Sequence, residues 1–116
     1  MSYQRFELWL ANLNPQSGTE VGKTRPVVIV QSDMLNAAGH PSTMVCPLTT
    51  NLKPKATILR IHLNEGDGGL NGPGDILVDQ VTAIDNRRFR RKLGDLPEAA
   101  AEQLVDALRI VLDLED

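Results

Sequence analysis

An arginine and two threonines stand where a short chain could assemble a phosphate-binding site. Arg25 lies where a polar loop enters the apolar run Val27 to Val30, and Pro26 biases it toward an extended backbone. Thr49 and Thr50 end another β-branched segment. A guanidinium offers a planar fork of donors to phosphoryl oxygens, and a threonine hydroxyl can add one more. The same residue types are also ordinary at exposed strand ends, so on their own they leave the role open.

Other catalytic chemistries find little support in the sequence. His40 and His62 are the only histidines, so a two-histidine ribonuclease mechanism requires the fold to bring them together. We expect His62, inside an alternating segment, to be structural, and His40, beside Pro41, to be exposed. Cys46 is the only cysteine, so no internal disulfide can form. The sequence has no HExxH pair, no phosphate-binding glycine loop and no cluster of metal ligands, and we expect neither a metal nor a cofactor.

Charge is distributed unevenly along the 116 residues, whose net charge is −3. The stretch RRFRRK, from Arg87 to Lys92, holds five of the twelve basic residues, whereas Asp95 to Asp116 holds seven acids and one base. A basic hairpin beside an acidic tail predicts two faces with different partners, although both are also ordinary for solvated surface. Aromatic residues make up only 3% of the chain, which disfavours base stacking on a row of rings.

The elements that must position these residues are mostly short strands. The segments with β-branched or alternating apolar residues are Glu7 to Leu13, Val27 to Val30, Thr43 to Thr50, Thr57 to Leu63, and Ile76 to Val81 continuing through Thr82 to Ile84. Pro47 predicts an edge or a bulge in the third strand. Ser32 and Asp33 favour a short helical turn. Asn64 to Gly74 contains five glycines and is predicted to be a loop.

A helix should close the chain. Asp95 and Glu98 have capping-box spacing, and Pro97 would fall in the first turn, where its missing N–H costs nothing. Apolar residues then recur on one helical face at positions 104, 105, 108, 111 and 112. We therefore expect a single domain over residues 1–116, mainly β with a C-terminal α-helix, arranged as a small antiparallel β-barrel. With no signal segment and no apolar run near the ~20 residues of a membrane span, we expect a cytoplasmic protein without membrane association.

Four motifs, in order, resemble the MazF/PemK family of toxins. They are ELWLANLNP (Glu7 to Pro15), Gly18-Thr19-Glu20 followed by GKTRPVVIV (Gly22 to Val30), Pro47-Leu48-Thr49-Thr50, and ILVDQV (Ile76 to Val81) followed by Ile84-Asp85. With the terminal helix they cover nearly the whole chain. The resemblance implies an SH3-like barrel of the CcdB/PemK type, a homodimer, and an endoribonuclease that cuts single-stranded mRNA and is neutralised by a cognate acidic antitoxin.

The resemblance also assigns site residues. By the family's motif Arg25 and Thr49 form the catalytic pair, and Glu20 is the candidate base or the residue that orients Arg25. The residues that we expect to bind RNA are Thr50, Asp79, Gln80, Arg87 and Arg88. Since RNA supplies its own nucleophile, the 2′-OH, the reaction needs no metal and would leave 2′,3′-cyclic phosphate and 5′-OH ends.

One position departs from the pattern, and two other readings exist. Some family members carry an arginine two residues before the motif's acid, where this chain has Leu77, so Asp79 lacks that partner. A CcdB-like toxin that binds DNA gyrase would use the same barrel, but such proteins are recognised partly by apolar and aromatic residues at the end of the terminal helix, and Leu114-Glu115-Asp116 lacks a tryptophan. An SH3-like peptide-binding module would need more clustered aromatic residues than this chain has.

Overall fold

Seven strands and two helices make up the computed structural model, which describes residues 2–14, 18 and 23–114. The strands are β1 (Glu7–Asn12), β2 (Thr24–Ile29), β3 (Ser42–Thr49), β4 (Arg60–Leu63), β5 (Gly74–Leu77), β6 (Thr82–Asp85) and β7 (Phe89–Asp95). The helices are α1 (Asp33–Ala37) and α2 (Glu98–Val111), and three short 3-10 turns connect the later strands. None of the helices in these residues is long and apolar enough to cross a membrane.

All the strands pair antiparallel in one sheet. Its hydrogen-bonded order is β4-β5-β3-β2-β1-β7, and β6 pairs with the first half of β3. The expectation of a mainly β domain with a C-terminal helix is confirmed. The barrel is not closed by hydrogen bonds, because β4 and β7 are the two ends of the path through the described strands.

Apolar side chains fill both faces of the sheet. Leu8, Val28 and Leu104 belong to a cluster between the sheet and α2, whereas Trp9 and Val27 belong to a second cluster on the opposite face. Neighbouring residues of a strand point to opposite faces. The central strands are therefore buried on both sides, which explains why the run of valines in β2 is continuous rather than alternating.

Pro47 lies inside the sheet, so the expectation of an edge position was wrong. It is buried and sits opposite Val27 of β2. On its other side β3 changes partner: β6 pairs with Ser42 to Val45, and β5 pairs with Leu48 and Thr49. A proline, which lacks an N–H, is tolerated at this exchange because the ladder on that side is already interrupted.

Two element boundaries differ from those expected. β4 begins at Arg60, since residues 57–59 pair with no described strand and Ile58 and Leu59 are exposed. The run after β5 turns at Val78–Gln80 into a 3-10 turn whose Val78 is buried in the α2 cluster. Burial of Val78 against α2 explains why an apolar residue stands in this turn, although the turn is not part of a strand.

The start of α2 does not use the expected capping box. Pro97 is the N-cap residue and makes no side-chain capping bond. Asp95 is the last residue of β7, and its carboxylate pairs with Lys92 at 3.2 Å instead. The turn at Ser32 behaves as expected, because its side chain accepts from the N–H of Met34.

Candidate active site

Arg25 and Thr49 come from adjacent strands and reach the same place. The β2–β3 ladder pairs Val27 with Pro47 and Val28 with Cys46. Continued by two residues, this register places Arg25 opposite Thr49, on one face of the sheet. Both side chains are half-buried and line one cleft. Residues 24 positions apart in the sequence therefore line the same cleft, and their catalytic roles stay predictions.

The cleft has a volume of about 480 Å³. Its walls come from the start of β2, the end of β3, the middle of β7, and the segment from Gly69 to Gly74, the first residue of β5. Thr50, which was expected to bind RNA, is exposed in the wall next to Thr49. Lys23 and Arg91 join Arg25 in this wall, and no acidic residue is among the described residues that line it. A concave surface with three cations attracts anionic groups such as phosphates.

The hydroxyl of Thr49 is already held by its own backbone. Its Oγ1 accepts a hydrogen bond from the N–H of Asn51 at 3.1 Å. Because the oxygen acts as the acceptor in this bond, its hydrogen stays available to donate. Thr49 can therefore offer a hydrogen bond to an oxygen atom in the cleft.

The glycine-rich wall of the cleft is tied to β7. Gly69 has φ +80°, and a Cβ there would lie 2.0 Å from the carbonyl oxygen of Leu93. Only glycine fits this contact. The N–H of Gly66 also donates to the carbonyl of Leu70 at 2.9 Å. The loop expected from the sequence is thus a defined turn packed against a strand.

Comparison with known proteins decides the family. The family model for the PemK-like, MazF-like toxin of type II toxin-antitoxin systems matches residues 4–112. The chain belongs to this family. A relative named Endoribonuclease MazF, from Staphylococcus epidermidis, is 31% identical over 111 residues, which cover 96% of this chain and 92% of the relative. Endoribonuclease MazF9 of Mycobacterium tuberculosis is also 31% identical, over 115 residues and 96% and 97% of the two chains.

Solved structures share the fold. MazF from Deinococcus radiodurans superposes with a TM-score of 0.81 at 23% identity, covering 97% of this chain and 98% of that one. A mycobacterial endoribonuclease, solved in complex with its cognate antitoxin, superposes with a TM-score of 0.79 at 17% identity, covering 99% of each chain. The sheet and terminal helix described above are therefore those of MazF-like toxins.

Two arginines of the basic segment, Arg87 and Arg88, bind other parts of the protein rather than lining the cleft. The guanidinium of Arg87 pairs with Asp85 at 2.9 Å, and Arg88 donates to the carbonyl oxygens of Asn12 and Asn14. Neither arginine is among the described residues that line the cleft of this MazF-like chain. Their role in RNA binding stays a prediction, and it would have to be exerted outside the cleft wall.

Arg91 is the arginine of this segment that does line the cleft. Phe89 pairs with Ala11, but Arg91 pairs with Leu10, so Arg90 is the extra residue of a β-bulge. The bulge turns Arg91 onto the face of Leu10, away from buried Phe89. Simple alternation along the strand would have placed Arg91 on the face of Phe89, which is why the sequence did not single it out.

The remaining predicted residues of the MazF-like site lie elsewhere. Asp79 is exposed and Gln80 half-buried in the turn after β5, and neither is in the described wall of the cleft. Leu77, which stands where some family members carry an arginine, is buried. Glu20 lies outside the described residues. Assignments of these side chains to catalysis or RNA binding stay predictions.

Cys46, His40 and His62 are not among the described residues that line the cleft. Burial, with a smaller contribution from Asp79, raises the pKa of the Cys46 thiol to about 12, so Cys46 is not a ready thiolate. His40 is exposed beside Ser42, whereas His62 is bound to Asp75 in β5. In residues 2–14, 18 and 23–114, no three side chains of His, Cys, Asp or Glu are grouped so as to hold a metal ion.

Proposed function

We propose that this MazF-like protein is a metal-independent endoribonuclease toxin that cuts single-stranded mRNA at a short sequence. The observation that carries the proposal is the meeting of Arg25 and Thr49, from two strands, in one positively charged cleft. Two relatives that match nearly the full chain are named endoribonucleases, which supports the same activity here. A cytoplasmic location would follow from mRNA as the substrate.

The proposed reaction is an internal attack by the RNA. The 2′-oxygen bonds to the neighbouring phosphorus, the bond from phosphorus to the 5′-oxygen breaks, and the leaving oxygen takes up a proton. Negative charge grows on the phosphoryl oxygens, where the guanidinium of Arg25 and the hydroxyl of Thr49 can stabilise it. Glu20 is the proposed acceptor of the 2′-OH proton or the residue that orients Arg25. The products would be a 2′,3′-cyclic phosphate and a free 5′-OH.

Cleavage should survive removal of divalent metals. The purified protein, dialysed against EDTA, should cut a mixed-sequence single-stranded RNA at the same positions and rate as in Mg²⁺, because the proposed charge stabilisation comes from side chains. The Arg25→Gln variant, purified alongside, controls for contaminating ribonucleases. Activity that is lost in EDTA and restored by Mg²⁺ would contradict the mechanism, and an absence of both cleavage and RNA binding would favour a gyrase-binding toxin.

Arg91 should bind a phosphate of the substrate next to the reacting one. Its guanidinium makes no hydrogen bond or ion pair with the residues that the structure describes, and Arg91 lines the same cleft as Arg25. Arg91→Gln should weaken RNA binding and lower the dependence of binding on salt by about one phosphate contact. Phosphate contacts carry no sequence information, so the cut position should not change.

Arg90→Gln is the matched control for Arg91→Gln. It removes the same charge one residue away, from the bulge residue whose Nη1 bonds to the carbonyl oxygen of Arg87 at 2.9 Å outside the cleft. Fluorescence anisotropy with a labelled RNA at several salt concentrations separates the two variants. Equal loss of affinity in both would show a diffuse basic surface, to which Arg87 and Arg88 would then contribute.

We also propose a homodimer and a cognate acidic antitoxin. The exposed apolar residues near Thr50 and at the end of α2 are Leu52, Ile58, Leu59, Ile110, Leu112 and Leu114. A symmetric interface that covers them would remove these six large apolar side chains from water. An acidic peptide that enters the positive cleft would compete with RNA, and a mycobacterial neighbour was solved with its cognate antitoxin.

Sedimentation should detect the dimer at micromolar concentration. We expect a single species of twice the chain mass, because burial of the apolar residues in segment 52–59 and at the end of α2 drives association. Ile58→Asp should shift the equilibrium toward monomer, whereas Met34→Asp, at a site on α1 that is 80% exposed, should not. A wild-type protein that sediments only as a monomer would refute the proposed dimer.

A further inference from the structure

A buried carboxylate lies beneath the segment that follows Thr49. Asp75 of β5 is 1% exposed, and its cross-strand partners are Thr49 on β3 and His62 on β4. Residues directly opposite in a sheet share a face. Asp75 therefore lies in one row between the proposed catalytic residue Thr49 and His62.

Three donors satisfy this carboxylate. Oδ1 is 2.7 Å from Nδ1 of His62, and Oδ2 accepts from Nη1 of Arg60 at 3.0 Å and from the backbone N–H of Lys53 at 2.9 Å. Burial opposes ionisation of Asp75, but these donors outweigh it and hold the pKa of the carboxyl below its ordinary value. Asp75 is thus a fixed anion inside the protein rather than a free surface acid.

The two side-chain partners of Asp75 each hold the chain a second time. Nη1 of Arg60 also donates to the carbonyl oxygen of Asn51 at 2.8 Å, and Nε2 of His62 lies 2.7 Å from the carbonyl oxygen of Ala56. With the bond from Lys53, segment 51–56 is attached at three backbone points to one carboxylate. Nearly all of its own residues are exposed, so these bonds rather than apolar packing fix its position.

This attachment extends to the Thr49 hydroxyl. The N–H of Asn51 donates to Oγ1 of Thr49, while the carbonyl of Asn51 is held by Arg60. Movement of Asn51 would therefore change the direction in which Thr49 can donate its hydrogen. The chain of contacts runs from Asp75 through Arg60 and Asn51 to the cleft.

We propose that Asp75, Arg60 and His62 form a positioning cluster that aims the hydroxyl of Thr49 at a phosphoryl oxygen bound in the cleft. The role rests on the proposed ribonuclease function, because it is defined by the substrate that Thr49 contacts. None of the three side chains is among the described residues of the cleft wall, so they act through Asn51 and not on the RNA itself.

The cluster should respond to pH through His62. Both ring nitrogens face oxygen acceptors, and only the protonated ring donates from both. The hydrogen bond to Asp75 is the main cause that raises the pKa of His62 above its ordinary 6.5; the charges acting on the ring are Asp75 from β5 and Arg60 from its own strand. The stabilisation from His62 is therefore complete below pH 6.5 and is lost as the pH rises through the raised value.

The first test is kinetic. Arg60→Met should lower kcat for RNA about ten- to a hundredfold with little change in KM, because a misplaced donor costs transition-state stabilisation rather than binding. Arg60→Lys, which keeps a charged donor, should recover part of the loss, and Arg90→Met is the control. In wild-type protein kcat should fall as His62 loses its proton, and His62→Gln should lack that step while His40→Gln keeps it.

The second test needs no activity. The chain has 2 histidines, so its proton NMR spectrum has two histidine Hε1 signals, and the one that His62→Gln lacks belongs to His62. His62 should titrate above 6.5, the backbone amides of Asn51 and Thr49 should shift with the same midpoint, and Arg60→Met should move both amides. If Arg60→Met does not fold, displaced backbone amides of Asn51 and Thr49 in His62→Gln supply the test of the attachment.

These outcomes separate the cluster from the ribonuclease proposal. A wild-type protein that cuts no RNA would overturn the proposed function, while the amide shifts would still decide whether the cluster holds Thr49. Unchanged kcat in folded Arg60→Met, or a His62 titration at or below 6.5 that leaves Asn51 and Thr49 unmoved, would overturn the cluster itself.

Discussion

Replacing Arg25 with glutamine should lower the rate of RNA cleavage by about 10²–10³-fold, the range typical for loss of one donor that stabilises a developing oxyanion. Arg25 reaches the cleft from β2 at the point where the β2–β3 register meets Thr49. Its guanidinium can donate two parallel bonds to the phosphoryl oxygens, and glutamine keeps much of the length but neither the charge nor the fork. Single-turnover kinetics on a short RNA measure the loss.

Two further variants rank the contributions. Thr49→Val removes only the hydroxyl, and its effect on the free energy of activation should be roughly half that of Arg25→Gln, because a charged donor is worth about twice a neutral one. Arg25→Lys should be intermediate. Circular dichroism should report an unchanged fold for each. An Arg25→Gln protein with the wild-type rate would remove this residue from the site, whatever the effect of Thr49→Val.

A single 2′-deoxy substitution in the substrate should abolish cleavage. The nucleotide before the scissile phosphate supplies the attacking oxygen in the proposed reaction, and without that oxygen no 2′,3′-cyclic product can form. Arg25 and Thr49 can still bind the phosphate of this strand, but the oxygen whose attack they would assist is absent. The expected result is no product after a time in which the unmodified strand is fully cut.

The position of the deoxy sugar provides the control. The same substitution one nucleotide away should leave the rate nearly unchanged, and the uncut strand should still compete for binding because its phosphates are intact. Cleavage of the strand that lacks the critical 2′-OH, or products with 5′-phosphate ends, would indicate an activated water and would contradict internal attack.

Much of the fold could be predicted because the side chains that become buried follow a regular spacing along the sequence. The apolar run of β2 and the helical spacing in α2 are direct consequences of burial on two faces and on one face. The apolar pattern predicted a strand at Val78, which instead lies in a turn and is buried against α2. The capping-box spacing predicted that Asp95 caps α2, but its carboxylate pairs with Lys92. Local spacing does not report which tertiary partner competes for a side chain.

In the candidate site, too, residues in local motifs could be predicted, whereas residues placed by strand pairing could not. Arg25 and Thr49 lie in contiguous motifs, so a resemblance could assign them, and the fold brings them to one cleft. Arg91 depends on a bulge at Arg90 that no local signal specifies. Asp75 was missed because its partners, Arg60 and His62, are 15 and 13 residues away and meet it only through strand pairing. Two polar residues at alternate positions of β4 were the available hint of a polar face.

A structure of the protein bound to the uncleavable 2′-deoxy strand tests the central claim most directly. The scissile phosphate should lie within hydrogen-bond distance, about 3 Å, of both the Arg25 guanidinium and the Thr49 hydroxyl, with Arg91 near an adjacent phosphate. An RNA that follows the exposed surface of Arg87 and leaves the cleft unoccupied would contradict the assignment of catalysis to this cleft.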